Sequence, residues 1–117
     1  MSYPYLAKKG ELVMIVYKRK LLTVITESSL ENALKRDFDR LGIKGYTIVS
    51  ARGTGHRGER LGNWEGSCNI RIEIVCTAEV GEAVAKHLYD NYYENSGMIS
   101  YLSDVDVLRP TKFDKSE

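Results

Sequence analysis

Apolar and β-branched residues come in short runs separated by turn chemistry, and the runs carry two different periods. Residues 11–17 (ELVMIVY) and 21–27 (LLTVITE) flank the basic triplet Lys18-Arg19-Lys20. Both runs are short and rich in β-branched side chains, which predicts strands rather than helices. The second is the expected core strand, because a helix signal follows it at once. The first is either an extra edge strand or a tail that docks on another subunit. Over 28–41 the period becomes helical: Leu30, Leu34, Phe38 and Leu41 form one apolar stripe. Ser28 and Glu31 stand at capping-box spacing, and Gly42 is placed to stop the helix.

Period-two alternation returns over 46–51, with Tyr46, Ile48 and Ser50 on one side and Thr47, Val49 and Ala51 on the other. A glycine-rich loop then runs to about residue 67. Over 68–77, Ile70, Ile72, Ile74 and Cys76 share one strand face and Arg71, Glu73 and Val75 the other. A second helix is expected over 78–94, striped by Val80, Val84, His87, Leu88 and Asn91 with Ala83 beside them. Tyr89, Tyr92 and Tyr93 add bulk near its end, and Asn95-Ser96-Gly97 breaks it. A last strand covers 98–108, where Val105 and Val107 alternate with Asp104 and Asp106, and Arg109-Pro110 closes it.

The order β-α-β, long loop, β-α-β predicts an α+β, ferredoxin-like βαββαβ fold: an antiparallel four-stranded sheet with both helices on one face. No helix of this chain can cover the other face, which carries Leu, Val, Ile and Tyr, so the chain is expected to oligomerise through it. At 117 residues the size fits one domain. The expected division is an N-terminal extension over 1–17, the domain over 18–113 and a tail over 114–117.

A formal net charge of +1 leaves no general polyanion-binding surface and argues against non-specific nucleic-acid binding. No apolar run approaches a membrane span, and the N-terminus lacks the order of a signal peptide. Cys68 and Cys76 make no disulfide framework. A reduced, cytoplasmic protein without direct membrane insertion is the expectation.

The candidate chemistry concentrates in 44–62, KGYTIVSARGTGHRGERLG, where Gly45, Gly53, Gly55, Gly58 and Gly62 are interleaved with Arg52, His56, Arg57 and Arg60. Glycine lets the backbone bend through positive φ or approach a ligand closely. Bare N–H groups beside guanidinium forks form a cradle for anions, of which phosphate is the usual one. The plainer alternative is a solvated hairpin loop. Trp64, inside this loop, marks either a contact surface or a fold back onto a neighbouring subunit. Residues 53–58 match G-x-G-x-x-G, but no sustained helix follows and the expected sheet is antiparallel, so a dinucleotide fingerprint is rejected. The two cysteines, His56 and His87 lack zinc spacing, and His87 reads as a helix residue at the core edge. No local signature offers a catalytic nucleophile with its base. What remains is anion or nucleotide binding. Arg57 and Arg60 would clasp phosphate, Thr47 would offer its hydroxyl, the backbone beside Val75 would read an adenine edge, and Gly97 would let backbone N–H groups reach a phosphate.

The segments KLLTVITESSLENAL, GYTIV-x-x-x-G-x-G-x-R-x-x-R, RIEIV and YYENSGMISYLSDVDVL resemble the PII signalling family over residues 18–109. The likeness is greatest to its PII-like branch linked to inorganic carbon, which includes the carboxysome-associated PII-like protein and the PII-like regulator of a bicarbonate transporter. The resemblance implies a homotrimer that binds adenine nucleotides in clefts between subunits. A T-loop, here about 53–67, reports the occupant to a partner. It implies a nucleotide site of Thr47, Gly53, Gly55, His56, Arg57, Arg60, Val75, Gly97 and Arg109, with Lys112 as a further C-terminal cation. The 95–97 connection is short and lacks a lysine for ATP phosphates, which favours ADP, AMP or cyclic AMP over ATP. Bicarbonate is a second candidate ligand, and no cofactor or metal is required. The uridylylated tyrosine and the C-terminal cysteine pair of other members have no counterpart. Nor do residues 1–17, and the alignment tolerates a start at Met14.

The expected function is therefore regulatory and not enzymatic, with a bicarbonate transporter or a carboxysome-associated protein as the expected partner. Two alternatives stand beside it. One is slow nucleotide hydrolysis in the same cleft, for which Glu59 alone resembles a base. The other is an RNA-binding ferredoxin-like module, for which 69–75 supplies Arg71 but no aromatic residue.

Overall fold

The computed structural model describes residues 5–6, 13–54 and 68–109. Strands β1 (Tyr5–Leu6) and β2 (Val13–Met14) form a separate two-stranded ribbon with Tyr5 opposite Met14. Of the first apolar run, Val13–Met14 lies in this ribbon and Tyr17 opens the strand β3 of the main sheet. The main elements are β3 (Tyr17–Glu27), α1 (Glu31–Arg40), β4 (Thr47–Ala51), β5 (Asn69–Cys76), α2 (Ala78–Tyr92) and β6 (Ile99–Val107). The four-stranded sheet has the order β4-β5-β3-β6, and every neighbouring pair is antiparallel. This is the expected ferredoxin-like arrangement.

Two boundaries differ from expectation for physical reasons. The basic triplet does not interrupt a strand but lies inside β3. The antiparallel register sets Lys18 opposite Asp106 and Lys20 opposite Asp104. The ion pairs close at 2.7 and 2.6 Å, so charges that look like a break in one strand are matched on its neighbour. The Ser28–Glu31 capping box does not form. Ser28 opens a 3-10 turn, Ser28–Leu30, and no side chain caps it or α1. The Ser28 N–H instead donates to the Cys68 carbonyl at 2.6 Å. The side-chain cap belongs to α2, where Thr77 Oγ1 accepts from the Val80 N–H at 3.3 Å.

Leu22 and Val24 of β3, Ile70, Ile72, Ile74 and Cys76 of β5, Leu34 and Phe38 of α1, and Val84 and Leu88 of α2 form the core. On α2 the buried positions are Gly81, Val84 and Leu88, whereas Asn91 of the expected stripe and Ala83 beside it are exposed. Gly81 permits the close approach of helix to sheet. A Cβ there would sit 3.2 Å from both Cys76 Sγ and Leu102 Cδ2. Tyr46 precedes β4 and packs its ring 5.3 Å from that of Phe38.

The register assigns the other sheet face. Val49, Arg71, Ile25 and Ile99 form one row across it, and Thr47, Glu73, Thr23 and Tyr101 the next. Val49, Ile99 and Tyr101 are 49, 56 and 48% exposed. Thr23 and Arg19 are buried on this face, and the Thr23 hydroxyl has no hydrogen-bond partner among the described residues. Among those residues, no helix is long and apolar enough to cross a membrane.

Phe38→Ala should cost about 3–5 kcal/mol, because a fully enclosed ring leaves a cavity at the contact of α1 with the sheet. Urea unfolding measures it. A loss below about 1 kcal/mol would contradict the described core.

Candidate functional site

Helix α1 ends in a tight turn. The Leu41 N–H donates to Asp37 O, the Gly42 N–H to Asp39 O and the Ile43 N–H to Phe38 O, and Gly42 takes a φ of +81°. Only a residue without a Cβ adopts that conformation freely. The turn carries the chain across the end of β5. Gly42, Ile43, Lys44 and Gly45 then line a shallow open depression with Ile74, Val75, Cys76 and Val80. Burial pushes the Cys76 thiol up to about 11, so it lines this depression as an inert apolar group. Thr47, exposed, stands opposite Glu73 on the helix-free face, diagonal to Val75.

The other expected site residues are distributed over the sheet. Arg52, Gly53 and Thr54 follow the last residue of β4 and are exposed. Gly97 precedes the first residue of β6, at the same end of the sheet but beside the opposite edge strand. Arg109 lies beyond the far end of β6 and is exposed. Gly55, His56, Arg57 and Arg60 lie outside the described residues, as do Trp64 and Lys112. Gly45 and Gly53 need no special conformation. Neither has positive φ, and a Cβ at either meets nothing within 4 Å. Thr47 and Val75 are thus brought together, whereas Gly97 and Arg109 are held apart by the whole of β6. Its nine residues span about 26 Å at 3.3 Å per residue, which is longer than an adenine nucleotide.

A polar cluster between the helices was not legible in the sequence. Asp37 is buried on α1. It accepts from Tyr92 Oη of α2 and from Arg40, and His87 Nε2 lies 3.0 Å from its Oδ2. Asn91 Nδ2 lies 3.2 Å from His87 Nδ1 and donates to the His87 carbonyl at 2.9 Å. Burial disfavours the Asp37 charge, but the hydrogen bonds from Tyr92, His87 and Arg40 outweigh it and hold the carboxyl below its usual 3.8. Burial and the Asp37 carboxylate push the Tyr92 phenol up to about 12. His87 does sit at the core edge, and its partner is this carboxylate. Among the described residues no group of three or more His, Cys, Asp or Glu could hold a metal ion.

The fold is a two-layer ferredoxin-like domain, with residues expected at the site near both ends of its sheet. The sequence profile of the family described as "Nitrogen regulatory protein P-II" matches residues 19–112. The chain belongs to that family, whose members are signalling regulators rather than enzymes. It is similar to a PII-like signalling protein from Thermus thermophilus, at 41% identity over 86% of this chain and 99% of the other, with a TM-score of 0.71. It is also similar to CPII from Thiomonas intermedia, in a structure bound to ADP and bicarbonate. There the identity is 28% over 86% of this chain and 98% of the other, and the TM-score is 0.75. A second CPII structure, bound to ADP, AMP and acetate, gives 26% identity over 86% of this chain and 99% of the other, at a TM-score of 0.73. The expected resemblance to the PII-like branch is thereby shown.

Asp37→Ala is expected to destabilise by about 2–3 kcal/mol at neutral pH, since it removes a buried charged acceptor from three donors. The Asp37 pKa is lowered by folding, so its contribution is present above 3.8 and is lost as the pH falls further. The Tyr92 pKa is raised, so its contribution is full below 10 and drains away as the pH rises toward 12. Urea unfolding of wild type and variant at neutral pH and in strong acid should show the gap closing in acid. A gap independent of pH would contradict the charged clamp.

Proposed function

We propose that this protein is a PII-like regulator that works as a homotrimer in the cytoplasm. Each trimer binds ADP or AMP at the three seams between copies, with bicarbonate as a second ligand. Occupancy orders the T-loop, residues 53–67, and so changes affinity for a bicarbonate transporter or a carboxysome-associated partner. One observation carries most of this reading. Gly97 and Arg109 stand beyond opposite ends of β6, so one nucleotide cannot touch both within a single copy. Two copies meeting across a seam can present one from each. The exposed Val49, Ile99 and Tyr101 on the helix-free face supply the apolar surface such a seam requires.

The depression beside Val75 suits the adenine edge, and Thr47 stands diagonal to it. Arg57 and Arg60 supply the guanidinium forks for phosphate, with Gly53, Gly55 and His56 completing that side. The 95–97 connection carries no cation, which sets ADP, AMP and cyclic AMP ahead of ATP, and of these three we take ADP and AMP as the ligands. The relatives described as bound to ADP, AMP and bicarbonate support the same choice of ligands. A ligand biases the loop only by its differential affinity for the ordered and disordered forms. Signalling therefore requires phosphate contacts that exist only when the loop closes.

Isothermal titration with AMP, ADP, ATP and cyclic AMP, each with and without bicarbonate, tests the ligand set. ADP and AMP should bind, and bicarbonate should change their affinity. The double variant Arg57→Ala, Arg60→Ala should lose nucleotide binding while the oligomer persists. Undiminished affinity in that variant would reject the phosphate role of the two arginines.

A further inference from the structure

Resting on the nucleotide site proposed above, we infer that Tyr92, Tyr93 and Ser96 are positioning residues that fix the backbone of the 95–98 connection for the ligand's phosphates. The two tyrosines are adjacent in sequence and point to different elements. Tyr92 donates to Asp37 of α1, and so ties the end of α2 to the other helix. Tyr93 ties the following 3-10 turn, Tyr93–Asn95, to β6. Its oxygen lies 2.7 Å from Ser100 Oγ and accepts the Ser100 N–H at 2.9 Å. Between these anchors Ser96 is buried and uses its hydroxyl twice. It donates to the Tyr92 carbonyl at 2.8 Å and accepts the Met98 N–H at 3.2 Å.

The first of those bonds ties the connection back to the carbonyl of the last residue of α2. The second bridges directly over Gly97. The glycine that would face a phosphate is thus suspended between a tyrosine that ties the end of α2 to α1, a tyrosine that ties the 3-10 turn to β6, and a buried serine. None of the three needs to touch the ligand. Their effect is to spare the backbone from being ordered at the moment of binding, a cost that a loose connection would carry. Asp37 is the far anchor of the same chain. Its three donors hold it ionised, and an ionised acceptor makes the Tyr92 bond the strongest in the series.

The test is competition binding of ADP and of adenosine, titrated to millimolar concentration, to full-length wild type, Tyr92→Phe, Tyr93→Phe, Ser96→Ala and Ser96→Thr. Melting temperature and oligomeric state are followed alongside. Tyr92→Phe and Ser96→Ala should weaken ADP by about tenfold and leave adenosine within about twofold, the scale of one coupled hydrogen bond. Ser96→Thr, which keeps the hydroxyl, should restore most of the ADP affinity. Equal weakening of ADP and adenosine, or no change in either, would overturn the positioning role. If wild type takes up neither ligand, the nucleotide site itself is wrong, and the positioning role falls with it. Wild-type binding with an unchanged ADP-to-adenosine ratio in the variants overturns the positioning role alone.

Discussion

A β-sheet has two faces, and α1 and α2 cover one of them. Everything enclosed by that choice is well made: Leu22, Val24, Ile72 and Ile74 are fully buried beneath Leu34, Phe38, Val84 and Leu88. The opposite face holds Val49, Ile99 and Tyr101 about half exposed, Val49 and Ile99 in one row with Arg71 and Tyr101 in the next with Glu73 and Thr47. Apolar surface left in water costs roughly 25 cal/mol per Å² relative to burial. On the proposed reading, the monomer is one part of an arrangement that other copies complete.

The same asymmetry explains why the ligand-type residues look scattered. Thr47 and Val75 belong to the middle and upper part of the sheet, Gly53 and Gly97 to one end, and Arg109 lies beyond the other end. In one copy no small molecule connects them. On the proposed reading, residues from two copies share one ligand, and occupancy then depends on assembly. A regulator gains from that dependence, because a ligand held by two copies acts on both.

The sequence carried the sheet and helices clearly where period and burial coincide. Ile70, Ile72, Ile74 and Cys76 alternate without exception, and Leu34 and Phe38 fall on the expected stripe. It misled where the deciding partner is distant. Lys18 and Lys20 read as a polar break because Asp104 and Asp106 stand more than eighty positions away, yet the four close as ion pairs across β3 and β6. Ser28 and Glu31 have the spacing of a cap, but the Cys68 carbonyl takes the N–H of Ser28. On α2, Gly81 is buried although it was not on the expected stripe, because the helix lies so close to the sheet there that a Cβ would crowd Cys76 and Leu102. Asp37 gave no local signal, because its partners His87 and Tyr92 lie fifty or more residues later. Of the residues expected at the site, Thr47 and Val75 are diagonal neighbours on one sheet face, and Gly53, Gly97 and Arg109 lie near the sheet's ends. The cluster of Gly55, His56, Arg57 and Arg60 lies outside the described residues.

All of this rests on the bare face of the sheet being an interface between copies. Sedimentation equilibrium of the purified protein measures that directly. A mass three times the 13.3 kDa chain, held across dilution, is the outcome expected from a face that buries Val49, Ile99 and Tyr101 against neighbours. A single species at 13.3 kDa would leave that face in water, separate Gly97 from Arg109 permanently, and contradict the account.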